Sequence, residues 1–194
     1  MKKTGKMCKL CVCCVGILLL GMVSAAMSRE IGGVDLPDSV TVAGKTLLLN
    51  GAGLRTKFFF KIYAGGLYLG NTAKDAEAVI NADAPMLVRM HFIYDGVSAE
   101  KLQDGWKEGF ALTAPSGEKP LQQAIASYVA LFKEEAREND VYDVSWQPGH
   151  GVDVVRNGTL LGTINGLDFK KALFAIWLGK DPVDDDLKEG MLGK

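Results

Sequence analysis

Apolar and polar positions change period several times along the chain. Leu10 to Val23 is an apolar run of fourteen residues. Lys2, Lys3, Lys6 and Lys9 precede it, and Val23-Ser24-Ala25-Ala26 supplies small residues at its end. Basic, then apolar, then small is the order of a secretory signal peptide, with cleavage after Ala25 or Ala26. The run is shorter than the about 20 apolar residues that a membrane span needs. An uncleaved N-terminal anchor is the alternative. The expected division is a signal segment over 1–26 and one domain over 27–194.

Beyond the leader, Ser39 to Leu49 reads as two short strands around an Ala43-Gly44 turn. Asn50-Gly51-Ala52-Gly53 reads as a glycine-punctuated loop. Phe58 to Leu69 reads as a long strand. On it Phe59, Lys61, Tyr63, Gly65 and Leu67 share one face, and Phe58, Phe60, Ile62, Ala64 and Tyr68 the other. Thr72 is the expected N-cap of a helix over 73–81. A strand with alternating Val88, Met90, Phe92 and Tyr94 follows over 86–94.

The middle of the chain turns helical. Ser98 starts a helix on which Leu102, Trp106 and Phe110 recur at i, i+4 and i+8. A second helical pattern covers 118–136. Strands return at Val141, and Asn157-Gly158 is a strong hairpin signal within them. Leu167 to Leu178 is an apolar helix that stops at Gly179 and Pro182, and a short helix over 184–191 closes the chain. Strands, helices, an antiparallel meander, then helices is an α+β order. It predicts a large antiparallel sheet with helices on one face, and a face open to a ligand.

Composition and charge refine this picture. The 194 residues are 48% hydrophobic and 23% charged, which excludes a disordered chain. The formal net charge of -1 excludes a generally basic nucleic-acid binder. The leader carries four lysines and no acid. The remainder therefore holds 18 basic against 23 acidic residues, a net charge of -5. All four cysteines (Cys8, Cys11, Cys13 and Cys14) lie in the leader, so the domain must fold without a disulfide.

The familiar catalytic signatures, Gly-x-Ser-x-Gly, the phosphate-binding loop and His-Glu-x-x-His, are absent. His91 and His150 fall in a strand and a turn, so no metal site is expected. Asp184-Asp185-Asp186 suits a helix N-terminus better than a metal. No cofactor is called for. The segment from Asn50 to Leu69 stands apart, because Arg55 follows a glycine-rich turn and precedes a very aromatic strand. A guanidinium and a phenol beside apolar walls suit an amphipathic anion. A surface Arg and a half-buried Tyr are the plainer reading of the same residues.

This segment resembles the chalcone isomerase superfamily. The match is to its Gly-Ala-Gly-(Val/Leu)-Arg turn and Phe-x-Lys-x-(Thr/Tyr)-Ala-x-Gly-x-Tyr-Leu strand, here Gly51 to Arg55 and Phe59 to Leu69. The ending, Leu173 to Gly179 and then Asp181-Pro182-Val183, is similar as well. The likeness extends over residues 34 to 194 and looks most like a bacterial, exported branch. It implies an open-faced β-sandwich with the ligand cleft between a large sheet and a helix layer.

In the plant isomerases of that family an Arg, matched by Arg55, stabilises phenolate and enolate during ring closure. A Tyr at position 63 resembles the fatty-acid-binding branch, where Arg and Tyr hold a carboxylate. The plant enzymes' further donors match Val97, Gly105 and Ile176 here, none of which can donate from its side chain; Tyr94 lies near. The resemblance thus implies a non-catalytic, exported, periplasmic binder of a fatty acid or similar apolar anion. Arg55 and Tyr63 are the expected anchors, with Phe59, Leu67, Trp106 and Phe110 as walls. The alternatives are an intramolecular lyase or isomerase using Arg55 for electrostatic catalysis, and a structural or partner-binding envelope protein. No nucleic acid is expected as a partner, and no membrane contact beyond the leader. Eight residues of straight strand span about 26 Å. Arg55 and Tyr63 therefore reach one carboxylate only if the chain bends between them.

Overall fold

A computed structural model describes residues 28–116 and 118–194. The expected signal segment lies outside the described residues. A small hairpin comes first, β1 (Ser28–Ile31) with β2 (Val34–Pro37). Seven strands then form one antiparallel sheet in chain order: β3 (Ser39–Val42), β4 (Lys45–Lys57), β5 (Phe60–Leu69), β6 (Met86–Phe92), β7 (Val141–Gln147), β8 (Gly151–Arg156) and β9 (Thr159–Ile164). The helices are α1 (Ala76–Asn81), α2 (Ala99–Thr113), α3 (Lys119–Val129), α4 (Leu167–Leu178) and α5 (Asp185–Met191). They cover one face of the sheet. The expected α+β architecture, a large antiparallel sheet with a helix layer, is the one observed.

The main core fills the space between sheet and helices. Val88, Met90 and Phe92 of β6 and Val144 and Trp146 of β7 meet Phe110, Tyr128, Phe174 and Trp177 there. The opposite face is partly covered by the β1–β2 hairpin, through Val34 and Leu36 against Ala52 and Ala64. Elsewhere that face carries polar pairs. Arg89 donates two 2.7 Å bonds to Asp143, and Asp153 receives Gln147 and Thr163. One sheet face is thus dry and the other half-solvated, which is why the strands alternate.

Turn chemistry explains most of the boundaries. Ala43-Gly44 and Asn157-Gly158 both take positive φ at both residues, as two-residue hairpins ask. Several boundaries differ from the sequence reading. The first helix starts at Ala76, because the Asp75 carboxylate takes the amides of Glu77 and Ala78; Thr72 is not its cap. The helix expected over 118–136 stops at Val129. Ala136 is held instead in a bridge to Val97. The sixth strand ends at Phe92, two residues before Tyr94.

The largest difference concerns Asn50 to Gly53, which is not a loop but the middle of β4. Gly51 pairs with Leu67, Ala52 with Gly66 and Gly53 with Gly65. The glycines answer to packing, since α5 lies directly on this stretch of backbone. A Cβ on Gly51 would run into the Gly190 carbonyl, and one on Gly53 would sit 3.0 Å from Leu187 Cα. Asn50 fixes the same junction: its amide donates to the carbonyls of Ala73 (2.9 Å) and Met191 (2.8 Å).

Gly51→Ala should therefore displace α5 and lower stability by about 1–3 kcal/mol, the usual cost of overpacking. Gly70→Ala, where an added methyl meets nothing within 4 Å, should leave thermal unfolding unchanged. Equal melting temperatures for the two variants would show that α5 does not rest on Gly51.

Candidate functional site

The chain bends between Arg55 and Tyr63. Residues 58 and 59 form a two-residue reversal, β4 and β5 run antiparallel, and Arg55 and Tyr63 become direct cross-strand partners. Directly opposed residues project to the same side with Cβ atoms about 5 Å apart. The long strand expected from Phe58 begins instead at Phe60. A register shift between Arg55/Thr56 and their partners leaves Ile62 as an extra residue. Such a bulge re-aims side chains. Phe60 and Ile62, expected on the face opposite Tyr63, line the same cleft as Tyr63.

That cleft has a volume of about 770 Å³ and lies between the β4–β5 hairpin, β6, α2, α4 and the segment before α5. Its deep wall includes Trp106, Phe92, Met90 and Trp177. Of the residues expected at the site, Arg55, Tyr63 and Trp106 line it. Three do not. Phe59 stands at the apex of the reversal, 97% exposed. Leu67 is fully buried farther along β5. Phe110 packs behind the wall, 5.8 Å from both Tyr128 and Phe169. A face read from strict alternation placed Phe59 with Tyr63, and the turn and bulge break that alternation.

Trp177 carries no sequence signal of its own. It sits in an apolar helix where any large residue suits the core. In the structure its indole N–H donates to the Tyr63 hydroxyl at 3.0 Å. Tyr63 Oη therefore already accepts one bond, and its own proton is left to give. Burial pushes the Tyr63 phenol up to about 12, while the Trp177 bond and Arg55 work in the other direction. Tyr63 is thus a fixed neutral donor at any ordinary pH.

Arg55 has its own partner. Its Nη1 lies 3.4 Å from Asp184 Oδ2, and it also donates to the Thr56 carbonyl. Asp184 is the N-cap of α5. It accepts from Leu187 N–H (3.0 Å) and from Thr56 N–H (3.0 Å), which locks the helix to the hairpin. The aspartate run thus works at a helix start, as its sequence position implied. At 3.4 Å, with the Arg55 side chain 21% exposed, the pair leaves most of the guanidinium's donors free.

The deep part of the lining is apolar, and the cleft's further charged side chains, Lys57, Lys101, Asp104 and Glu108, are exposed. Val97, Gly105 and Ile176 all line the cleft, and none offers a side-chain donor. Among the described lining residues there is no Ser, Cys or His to form a nucleophile–base pair. Tyr94 lies at the lip, packed edge-on to Phe60 with ring centroids 5.3 Å apart. His91 is on β6 outside the cleft lining, and His150 pairs with Asp153 at 2.9 Å in its turn. No group of three metal-ligating side chains occurs among the described residues. None of their helices is long and apolar enough to cross a membrane.

The phenols of Tyr63 and Tyr68 are both pushed up to about 12, and burial also raises those of Tyr128 and Tyr142. Folded-state values above the ordinary 10 mean that the unfolded chain loses these protons first. For Tyr63 and Tyr68 the stabilisation is complete below pH 10 and is lost as pH rises toward 12, and Tyr128 and Tyr142 act in the same direction. Each such group contributes a slope of about 1.4 kcal/mol per pH unit. Urea midpoints should fall steeply between pH 10 and pH 11; a flat profile would contradict the burial of these hydroxyls.

Known proteins place the fold in context. A family model described as chalcone isomerase-like matches residues 28–193. Fatty-acid-binding protein 1 of Arabidopsis thaliana is 22% identical over 117 residues, 59% of this chain. The matched part spans only 42% of that relative's length. The crystal structure of an Arabidopsis thaliana fatty-acid binding protein superposes with a TM-score of 0.69 at 20% identity, covering 82% of this chain and 92% of that one.

Proposed function

The chain belongs to the chalcone isomerase-like family, and from that premise we propose that it is a non-catalytic binder of a fatty acid or similar apolar anion. One observation carries the reading: a largely apolar cleft of about 770 Å³ contains a guanidinium and a spare phenol proton on paired strands. That volume lies within the range of about 300–1,000 Å³ typical of small-molecule sites. The anion would take charge-assisted bonds from Arg55 and Tyr63, and its chain would lie along Trp106, Val97 and Ile176. The Arabidopsis relatives described as fatty-acid-binding support the ligand class.

The isomerase reading is less well supported. Oxyanion catalysis needs several donors aimed at the developing charge, and Val97, Gly105 and Ile176 cannot supply them. The leader adds the proposal of export to a periplasm. Intact mass of the native protein should show loss of the first 25 or 26 residues.

Laurate titration by calorimetry tests the site. Arg55→Ala should weaken binding by about tenfold to a hundredfold, the worth of a hydrogen bond to a charged group. Tyr63→Phe should weaken it similarly and also lower thermal stability, because the buried Trp177 N–H loses its acceptor. Native mass spectrometry on protein from its own host should find a bound apolar acid. Unchanged laurate affinity in Arg55→Ala would remove the proposal.

Asp184 competes with the ligand for Arg55. Asp184→Asn keeps a good helix cap while removing the charge. It should tighten laurate binding several-fold and lower the melting temperature modestly, because the amide keeps only one of the two oxygens that accept from Leu187 and Thr56. Weaker binding in this variant would mean that the aspartate orients Arg55 rather than competing for it.

A further inference from the structure

Three successive phenylalanines crown the β4–β5 hairpin beside the cleft. Phe58, Phe59 and Phe60 are 83%, 97% and 56% exposed. Scattered surface apolar residues need no explanation, but three adjoining aromatics at an apex do. Lys57 and Lys61 flank them, both exposed, and neither makes an ion pair among the described residues.

The turn is also built against its own chemistry. Phe58 has φ of 58°, a region that bulky residues avoid. The two other two-residue hairpins of the sheet, Ala43-Gly44 and Asn157-Gly158, use small or turn-forming residues at positive φ. Phe58 and Phe59 gain no burial in return for the strain. A local rule broken without an internal gain points to a contact outside the chain.

The sequence alone calls for no membrane contact beyond the leader; from the exposed tip we propose instead that this hairpin docks the protein on an anionic lipid bilayer. The phenylalanines enter the boundary between headgroups and acyl chains, and Lys57 and Lys61 meet the headgroup charge. Aromatic rings favour that interface. Charge supports a bilayer over a protein partner. The domain beyond the leader carries -5, so an anionic surface repels the body and attracts this basic tip, which fixes orientation. Shape agrees, because an apex this exposed is convex and suits insertion.

Lys57, Phe58 and Phe60 also line the cleft, as does Leu112 of α2, itself 62% exposed. Docking therefore sets the cleft mouth against the membrane. That second consequence, a direct path for an acyl chain between bilayer and cleft, rests on the proposed ligand class.

Flotation with vesicles of phosphatidylcholine alone, and of phosphatidylcholine mixed equally with phosphatidylglycerol, tests the docking. The protein should float with the mixed vesicles, and less so at high salt. Phe59→Ser should reduce binding about tenfold or more, since a phenylalanine buried in lipid is returned to water. It should leave laurate affinity unchanged, because Phe59 lies outside the cleft lining. Phe58→Gly should lose vesicle binding while gaining melting temperature, which separates docking from folding. Lys57→Gln with Lys61→Gln should abolish the preference for anionic vesicles. Arg55→Ala should float like the wild type; if it does and still binds laurate, the ligand reading fails while docking stands. Failure of the wild type to float, or equal flotation by Phe59→Ser, would overturn the proposal. So would a concentration-dependent dimer lost in Phe59→Ser without any vesicle binding, which would make the tip a protein interface.

Discussion

Arg55 and Tyr63 are eight residues apart in sequence and face each other in space, because the chain reverses at Phe58–Phe59. Everything proposed for the cleft depends on that register. If the pairing slipped by one residue, either side chain would turn to the opposite face. The hairpin is held just below its turn by Asp184, whose carboxylate takes amides from both Thr56 and Leu187 while facing Arg55. One aspartate thus caps the last helix, ties it to the hairpin and pairs with Arg55.

The same constraint explains the glycines. A helix can lie on the β4 backbone only where side chains are missing, and Gly51, Gly53 and Gly190 clear that contact. The C-terminal helix then shields the pairing of β4 with β5 from the helix side. Stability of the β4–β5 pairing and geometry at the cleft both follow from this packing of α5 on β4. Trp177 extends it: the indole fixes the Tyr63 hydroxyl through its acceptor lone pair and leaves the proton for use.

Much of this was legible in the sequence. The α+β order, the Asn157-Gly158 hairpin and the start of α2 at Ser98 follow from local signals that the tertiary structure leaves alone. Arg55 and Tyr63 were visible through their motif, and Trp106 through helical periodicity. Phe59, Leu67 and Phe110 were misplaced because alternation and periodicity give a face, not a depth along it. A bulge at Ile62 and a strained turn at Phe58 leave no clear trace in residue type. The glycines between Asn50 and Gly53 signal close approach as readily as a loop, and only the position of α5 decides between them. Trp177 was hidden for the opposite reason: in an apolar helix, its polar atom is invisible to pattern.

The central claim is that one anion is held by both members of the cross-strand pair. A crystal structure of the laurate complex tests it most directly. The account predicts the carboxylate within hydrogen-bonding distance of both Arg55 and the Tyr63 hydroxyl, with the acyl chain against Trp106. A carboxylate bound elsewhere, with Arg55 still paired to Asp184 alone, would contradict it.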